Sequence, residues 1–178
     1  MGVPEAPALV EVRPEPYESP VASGLAVALM DELDERYGDV EDIGAAPELA
    51  ALWGVRPEQV TPPAGTFLVA WIDGEPVGCG ALRPLVTGQP GVAEIKRMYT
   101  APTARRKGVS RAVLSALEDA AAALGYHRIQ LETGLRQPEA LALYESAGWH
   151  RIASYGQYAG DPLSVCFAKD LSDPAPAG

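Results

Sequence analysis

The chain has 178 residues, 47% of them apolar, which is enough for one hydrophobic core and short for two domains. Its formal net charge of −10 disfavours nucleic acid and anionic membrane as partners, since both need clustered Lys and Arg, and favours cationic ligands. No apolar run reaches the roughly 18 residues of a membrane span, and residues 1–8 lack the basic and apolar regions of a signal peptide, so a cytoplasmic protein is expected.

Residues 1–8 and 172–178, rich in Pro, Ala and Gly, read as disordered ends around a single domain at 9–171. A strand can begin at 9–12. Ser19-Pro20 is an N-cap and first-turn pair, and the helix it opens carries Val21, Leu25, Leu29 and Leu33 on one face and stops at Gly38. Asp31, Glu32, Asp34 and Glu35 on its other face read as solvated surface. Residues 39–65 are irregular, with a short helix at 47–53 before Pro62 and Pro63.

Strands at 66–72 and 76–83 flank Asp73-Gly74, a pair suited to a type I′ hairpin turn. A third strand at 92–100 extends the antiparallel sheet. In it Ala93 and Ile95 alternate regularly, whereas Met98 falls out of phase, which is the mark of a β-bulge. A helix at 109–124 follows, with Val109, Val113, Leu117, Ala120 and Leu124 in one stripe and Gly125 at its end. The next strand, 129–133, should pair parallel to 92–100 through a right-handed crossover. A shorter helix at 139–147 ends at Gly148, before a last antiparallel pair at 149–155 and 163–169. The expected class is therefore α/β (α+β), built on a mixed sheet. Cys79 and Cys166 have no neighbours at metal-ligand spacing and read as buried free thiols, with no metal. His127 and His150 follow helix ends, where a cation is favourable, and read as structural.

The stretch Arg105-Arg106-Lys107-Gly108-Val109-Ser110-Arg111 joins a strand to an amphipathic helix. A pyrophosphate needs several converging N–H groups, and a helix start supplies them together with the positive end of the dipole. By itself a basic helix start is more often a surface feature. Neither the P-loop nor the dinucleotide signature is present. In this setting the chain resembles the Gcn5-related N-acetyltransferase (GNAT) superfamily, whose central motif is Q/R-x-x-G-x-G/A. Arg105 takes its first position and Gly108 its first glycine, while Ser110 stands where Gly or Ala is usual. Glu94-Ile95-Lys96-Arg97-Met98-Tyr99 is similar to the family's fourth strand, and Ala140-Leu141-Ala142-Leu143-Tyr144-Glu145-Ser146-Ala147-Gly148-Trp149 to its later helix-to-strand segment. The resemblance spans about residues 66–171.

This resemblance implies a mostly antiparallel sheet with a central parallel pair splayed at the bulge, and helices on both faces. It implies acetyl-CoA as the acyl donor, bound through the main chain of Met98, Tyr99 and Thr100 and through the turn from Arg105 to Arg111. It implies direct transfer to a primary amine of a small molecule or peptide in a ternary complex, with no metal and no covalent enzyme intermediate. A lysine-like amine, of pKa about 10.4, must first lose a proton. Glu94, eleven positions before Arg105, matches the spacing of the glutamate base in the family's histone-acetylating branch, although an exposed strand glutamate is the alternative. Tyr144 matches its general acid, the alternative being a tyrosine that fills the core. Tyr155, Tyr158 and Asp161 are candidates for the acceptor pocket. Family members are often homodimers. A non-catalytic acyl-CoA sensor and a structural interaction domain are the competing functional readings.

Overall fold

The computed structural model describes residues 9–38 and 54–171; the helix expected at 47–53 and both chain ends lie outside them. The elements are β1 (Glu11–Pro14), α1 (Pro20–Tyr37), β2 (Thr66–Ile72), β3 (Glu75–Pro84), β4 (Val92–Thr100), α2 (Val109–Ala123), β5 (Arg128–Gly134), α3 (Pro138–Ser146), β6 (His150–Ile152) and β7 (Ser164–Asp170). The sheet runs β1-β2-β3-β4-β5-β7-β6. Among the described residues only β4 and β5 pair in parallel; the other neighbours are antiparallel.

Local chemistry accounts for most of these boundaries. The Ser19 side chain accepts the Ala22 amide at 3.1 Å and starts α1. Asp73 and Gly74 have φ of 52° and 83°, the paired positive values that a type I′ turn needs, and they set the register of β2 against β3. β1 begins at Glu11 and not at residue 9, because Leu9 is 85% exposed and pairing with β2 starts at Glu11. The final antiparallel pair forms, but its first strand is corrected from 149–155 to the three residues His150–Ile152, with β7 inserted between β5 and β6.

Strand alternation divides the core between the two faces of the sheet. Leu68, Leu82, Ile95, Ile129, Leu131 and Phe167 pack with α2 and with Tyr144 of α3, whereas Phe67, Val69, Cys79 and Ala81 pack with Ala22 and Leu25 of α1. Helices therefore cover both faces. α2 buries Val109, Val113, Leu114, Leu117 and Ala121, so the expected stripe is corrected at its end, where Ala120 and Leu124 are half-buried. Steps of four form the ridge that packs into a facing groove, and 109, 113, 117 and 121 follow that row. Each buried Val or Leu contributes roughly 1.5–3 kcal/mol.

The bulge lies where Met98 breaks the alternation. Ala81 pairs with Lys96 and Cys79 with Tyr99, so Gly80 faces both Arg97 and Met98. Arg97 takes the strain with φ of 59°. A Cβ on Gly80 would lie 2.7 Å from Leu117 Cδ1 and 2.8 Å from Met98 Sδ. The absent side chain is what lets Met98 roll over β3 onto α2. Cys79, buried beside the bulge, donates its thiol to the Arg97 carbonyl at 3.3 Å, and burial pushes that thiol up to about 12.

Candidate active site

β4 and β5 stay paired only from Val92 to Ile95, the last rung being Ile95 with Leu131. Both strands continue, β4 to Thr100 and β5 to Gly134, and between the diverging ends a cavity of about 810 Å³ opens. Its walls are Ile95 to Thr100, Leu131 to Gly134, Glu32 and Tyr37 of α1, and Leu143 and Tyr144 of α3. A strand edge without a partner leaves main-chain donors and acceptors facing the opening. Met98, Tyr99 and Thr100, the expected main-chain contacts, all line it.

One end of the cavity reaches the turn before α2. Arg106 and Gly108 there have φ of 62° and 80°, and Gly108 is the N-cap of α2. The hydroxyls of Thr100 and Ser110 lie 2.9 Å apart and tie the end of β4 to the start of the helix. Ser110, in the place usual for Gly or Ala, thus has a positive structural task. Among the described residues, no backbone carbonyl outside the helix receives the amides of residues 107 to 111. A Cβ on Gly108 would meet no protein atom within 4 Å, so the protein itself requires this glycine for its left-handed backbone and not for room.

The charged side chains of this turn divide in a way that sequence does not show. Arg105, Arg106 and Ser110 line the cavity; Lys107, Gly108, Val109 and Arg111 do not. Arg105 is held by Glu32 of α1 at 2.5 Å, and the Arg111 guanidinium donates to Ser146 Oγ at 2.7 Å. Arg106 and Lys107 are exposed cations. Glu32 is accordingly not the solvated residue that helix periodicity suggests: it lines the cavity and pairs with both Arg36 and Arg105.

Tyr144 is buried, its ring packed near Trp149 and Phe167 at centroid distances of 5.9 and 5.6 Å. It both fills the core and lines the cavity, so the two readings of this residue are compatible. Burial, reinforced by the charge of Glu132, pushes its phenol well above the ordinary value. The hydroxyl therefore keeps its proton throughout the neutral range.

Glu94 is buried, but it does not line the cavity. Its Oε2 accepts Arg83 Nε at 3.0 Å and Nη2 at 2.9 Å, and its Oε1 accepts the Tyr155 hydroxyl at 2.9 Å. Both oxygens are thus engaged, within an ion pair to an arginine that also donates to the Gly54 carbonyl. Glu132, one residue past the last parallel rung, does line the cavity, as do Glu32, Glu139 and Asp161. Burial pushes the Glu132 carboxyl above the ordinary value, against the Ser164 hydrogen bond and the Lys96 charge, which pull it down. Ser164 Oγ lies 2.8 Å from Glu132 Oε1 and 3.2 Å from Asp161 Oδ2. Of the loop candidates, Asp161 lines the cavity, Tyr158 is hydrogen-bonded to Lys96 of its wall, and Tyr155 is turned to Glu94. Glu132 and Lys96 escape a reading by apolar periodicity. Their signal was charge in strands otherwise made for burial, where Gln130 and Glu132 share one face of β5.

Known proteins place this architecture. The family model described as acetyltransferase (GNAT) family matches residues 26–149. An IAA acetyltransferase of Azospirillum brasilense is 36% identical over 154 residues, covering 86% of this chain and 95% of that protein. A Klebsiella pneumoniae protein assigned to the acyl-CoA N-acyltransferases has a crystal structure that matches at a TM-score of 0.71 with 28% identity, covering 92% of this chain and 99% of that one. The yncA protein of Salmonella typhimurium, solved with its cofactor acetyl-CoA, shares the fold at a TM-score of 0.62 and 18% identity, covering 93% and 96% of the two chains. The chain belongs to the GNAT acetyltransferase family.

Proposed function

We propose that this protein transfers an acetyl group from acetyl-CoA to a primary amine of a small molecule or peptide, by direct attack in a ternary complex. The observation that carries this reading is the cavity between β4 and β5, which joins an unpaired strand edge, a helix-start turn, a buried phenol and a desolvated carboxylate in one space. These features fit acetyl-CoA: the edge of Met98 to Thr100 suits an amide-bearing arm, and the open amides at Gly108 with the Arg106 cation suit linked phosphates.

When bound, acetyl-CoA supplies an activated thioester. The protein supplies position and protons. An N–H of the β4 edge near Met98 stabilises charge developing on the thioester oxygen, a contribution commonly worth about 2.7–4 kcal/mol. Glu132 takes the proton of the acceptor ammonium, because it lines the cavity beside the β4–β5 opening and burial raises its basicity. Glu94 holds Arg83 and Tyr155 behind it. The Tyr144 hydroxyl protonates the leaving thiolate, and the phenolate regains its proton from solvent as the products leave.

Free-thiol release from acetyl-CoA across a panel of primary amines tests the reaction. Saturable, amine-dependent release is expected. Tyr144→Phe is expected to lower kcat by at least about ten-fold while leaving acetyl-CoA affinity near its original value. Unchanged turnover would remove Tyr144 from the chemistry, and saturable acetyl-CoA binding without release would favour the sensor reading.

A further inference from the structure

The acceptor end of the cavity is bipolar. Ile95 and Leu131 form the last rung of the parallel pair, so Lys96 and Glu132 are the next residue on each strand and project to the same sheet face across the opening. Both line the cavity, and the lysine's charge is felt at the Glu132 carboxyl. On the Glu132 side, Ser164 links Glu132 to Asp161. On the other side, the Lys96 ammonium is hydrogen-bonded to the Tyr158 hydroxyl and stands 5.1 Å from the centre of that ring. Lys96 is half-buried and forms no ion pair among the described residues.

A lysine withdrawn from water costs free energy unless an anion offsets the loss. A phenol orients the ammonium without neutralising it. The place also matters: a fixed cation beside the acceptor's own ammonium repels it, unless the acceptor brings a negative charge of its own. We infer that the acceptor is an amine bearing a carboxylate, an amino acid, whose carboxylate is held by Lys96 with Tyr158 and whose amine is directed at Glu132. This assignment rests on the transferase reading above. It excludes diamines and polyamines as good substrates, because their second cation would face Lys96.

The test uses the full chain with acetyl-CoA and matched acceptors: an amino acid, its carboxamide and the amine left when the carboxylate is removed. With the native protein, kcat/KM for the amino acid should exceed that for both neutral-tailed partners by about ten-fold or more, the usual worth of a charge-assisted contact. Lys96→Met should raise KM for the amino acid by a similar factor relative to the decarboxylated amine, abolishing the preference. Lys96→Arg should restore part of it. Equal or better turnover of the decarboxylated amine by the native protein would overturn the assignment. So would an equal loss for all three acceptors in Lys96→Met, which would show the lysine acting on the amine or on Glu132. Thiol release from none of the acceptors, with acetyl-CoA still bound, would overturn the transferase reading itself and this assignment with it.

Discussion

Glu132 has one oxygen on the Ser164 hydroxyl and lines the cavity, whereas both oxygens of Glu94 are taken by Arg83 and Tyr155. Their neighbours assign them different tasks, and the substitutions should separate accordingly. Glu132→Gln is expected to lower kcat on the order of a hundred-fold. In the native protein kcat/KM should rise with pH as Glu132 loses its proton, above the usual carboxylate range because burial raises it, and this limb should vanish in the variant. Stability moves the other way. A carboxyl raised by folding contributes stability that is full below its unfolded pKa, about 4.3, and is lost as pH rises through the folded value. Glu132→Gln should therefore raise Tm at pH 8, the gap closing toward about pH 4; thermal melts across that range check it. Glu94→Gln removes the carboxylate that pairs with the buried Arg83 and should lower stability by roughly 3–5 kcal/mol.

Among the elements, two departures from regular geometry make the site. The bulge at Arg97 and Met98 re-aims β4 away from β5 after four paired residues. The turn before α2 holds Arg106 and Gly108 in the left-handed region, which points consecutive amides outward from the helix start. Gly108→Val forces a β-branched side chain into a backbone it avoids, at a cost of about 1–3 kcal/mol. It should weaken acetyl-CoA binding by about ten-fold or more, measured by calorimetry. Gly108→Asn, which tolerates this conformation, should retain most of the affinity. Equal loss in both variants would place the requirement in the missing side chain and not in φ.

At the scale of the whole molecule, ligand and fold are linked. Acetyl-CoA would bridge β4, the Gly108 turn and α3, elements that meet only in the folded state. At a hundred times its Kd it should add about 2.7 kcal/mol, a rise in Tm of several degrees that a thermal shift assay reads directly. Absence of any shift would favour the interaction-domain reading over both the enzyme and the sensor.

Much of this was written locally. The Ser19-Pro20 start of α1, the Asp73-Gly74 hairpin, the span of β4, the Gly125 and Gly148 stops and even the slip at Met98 depend on neighbours within a few residues, where propensity and steric preference act. The turn at Arg105 to Arg111 was legible for the same reason, because a helix start carries its free amides whatever surrounds it. What the side chains do there was decided elsewhere. Glu32 claims Arg105 from 73 positions away, and Arg83, eleven positions before Glu94, claims that carboxylate. Glu132 gains its basicity only because strands distant in sequence close over it. Backbone geometry is a short-range property, but the desolvation and pairing that set a charge's task come from tertiary neighbours, and only the folded chain brings those together.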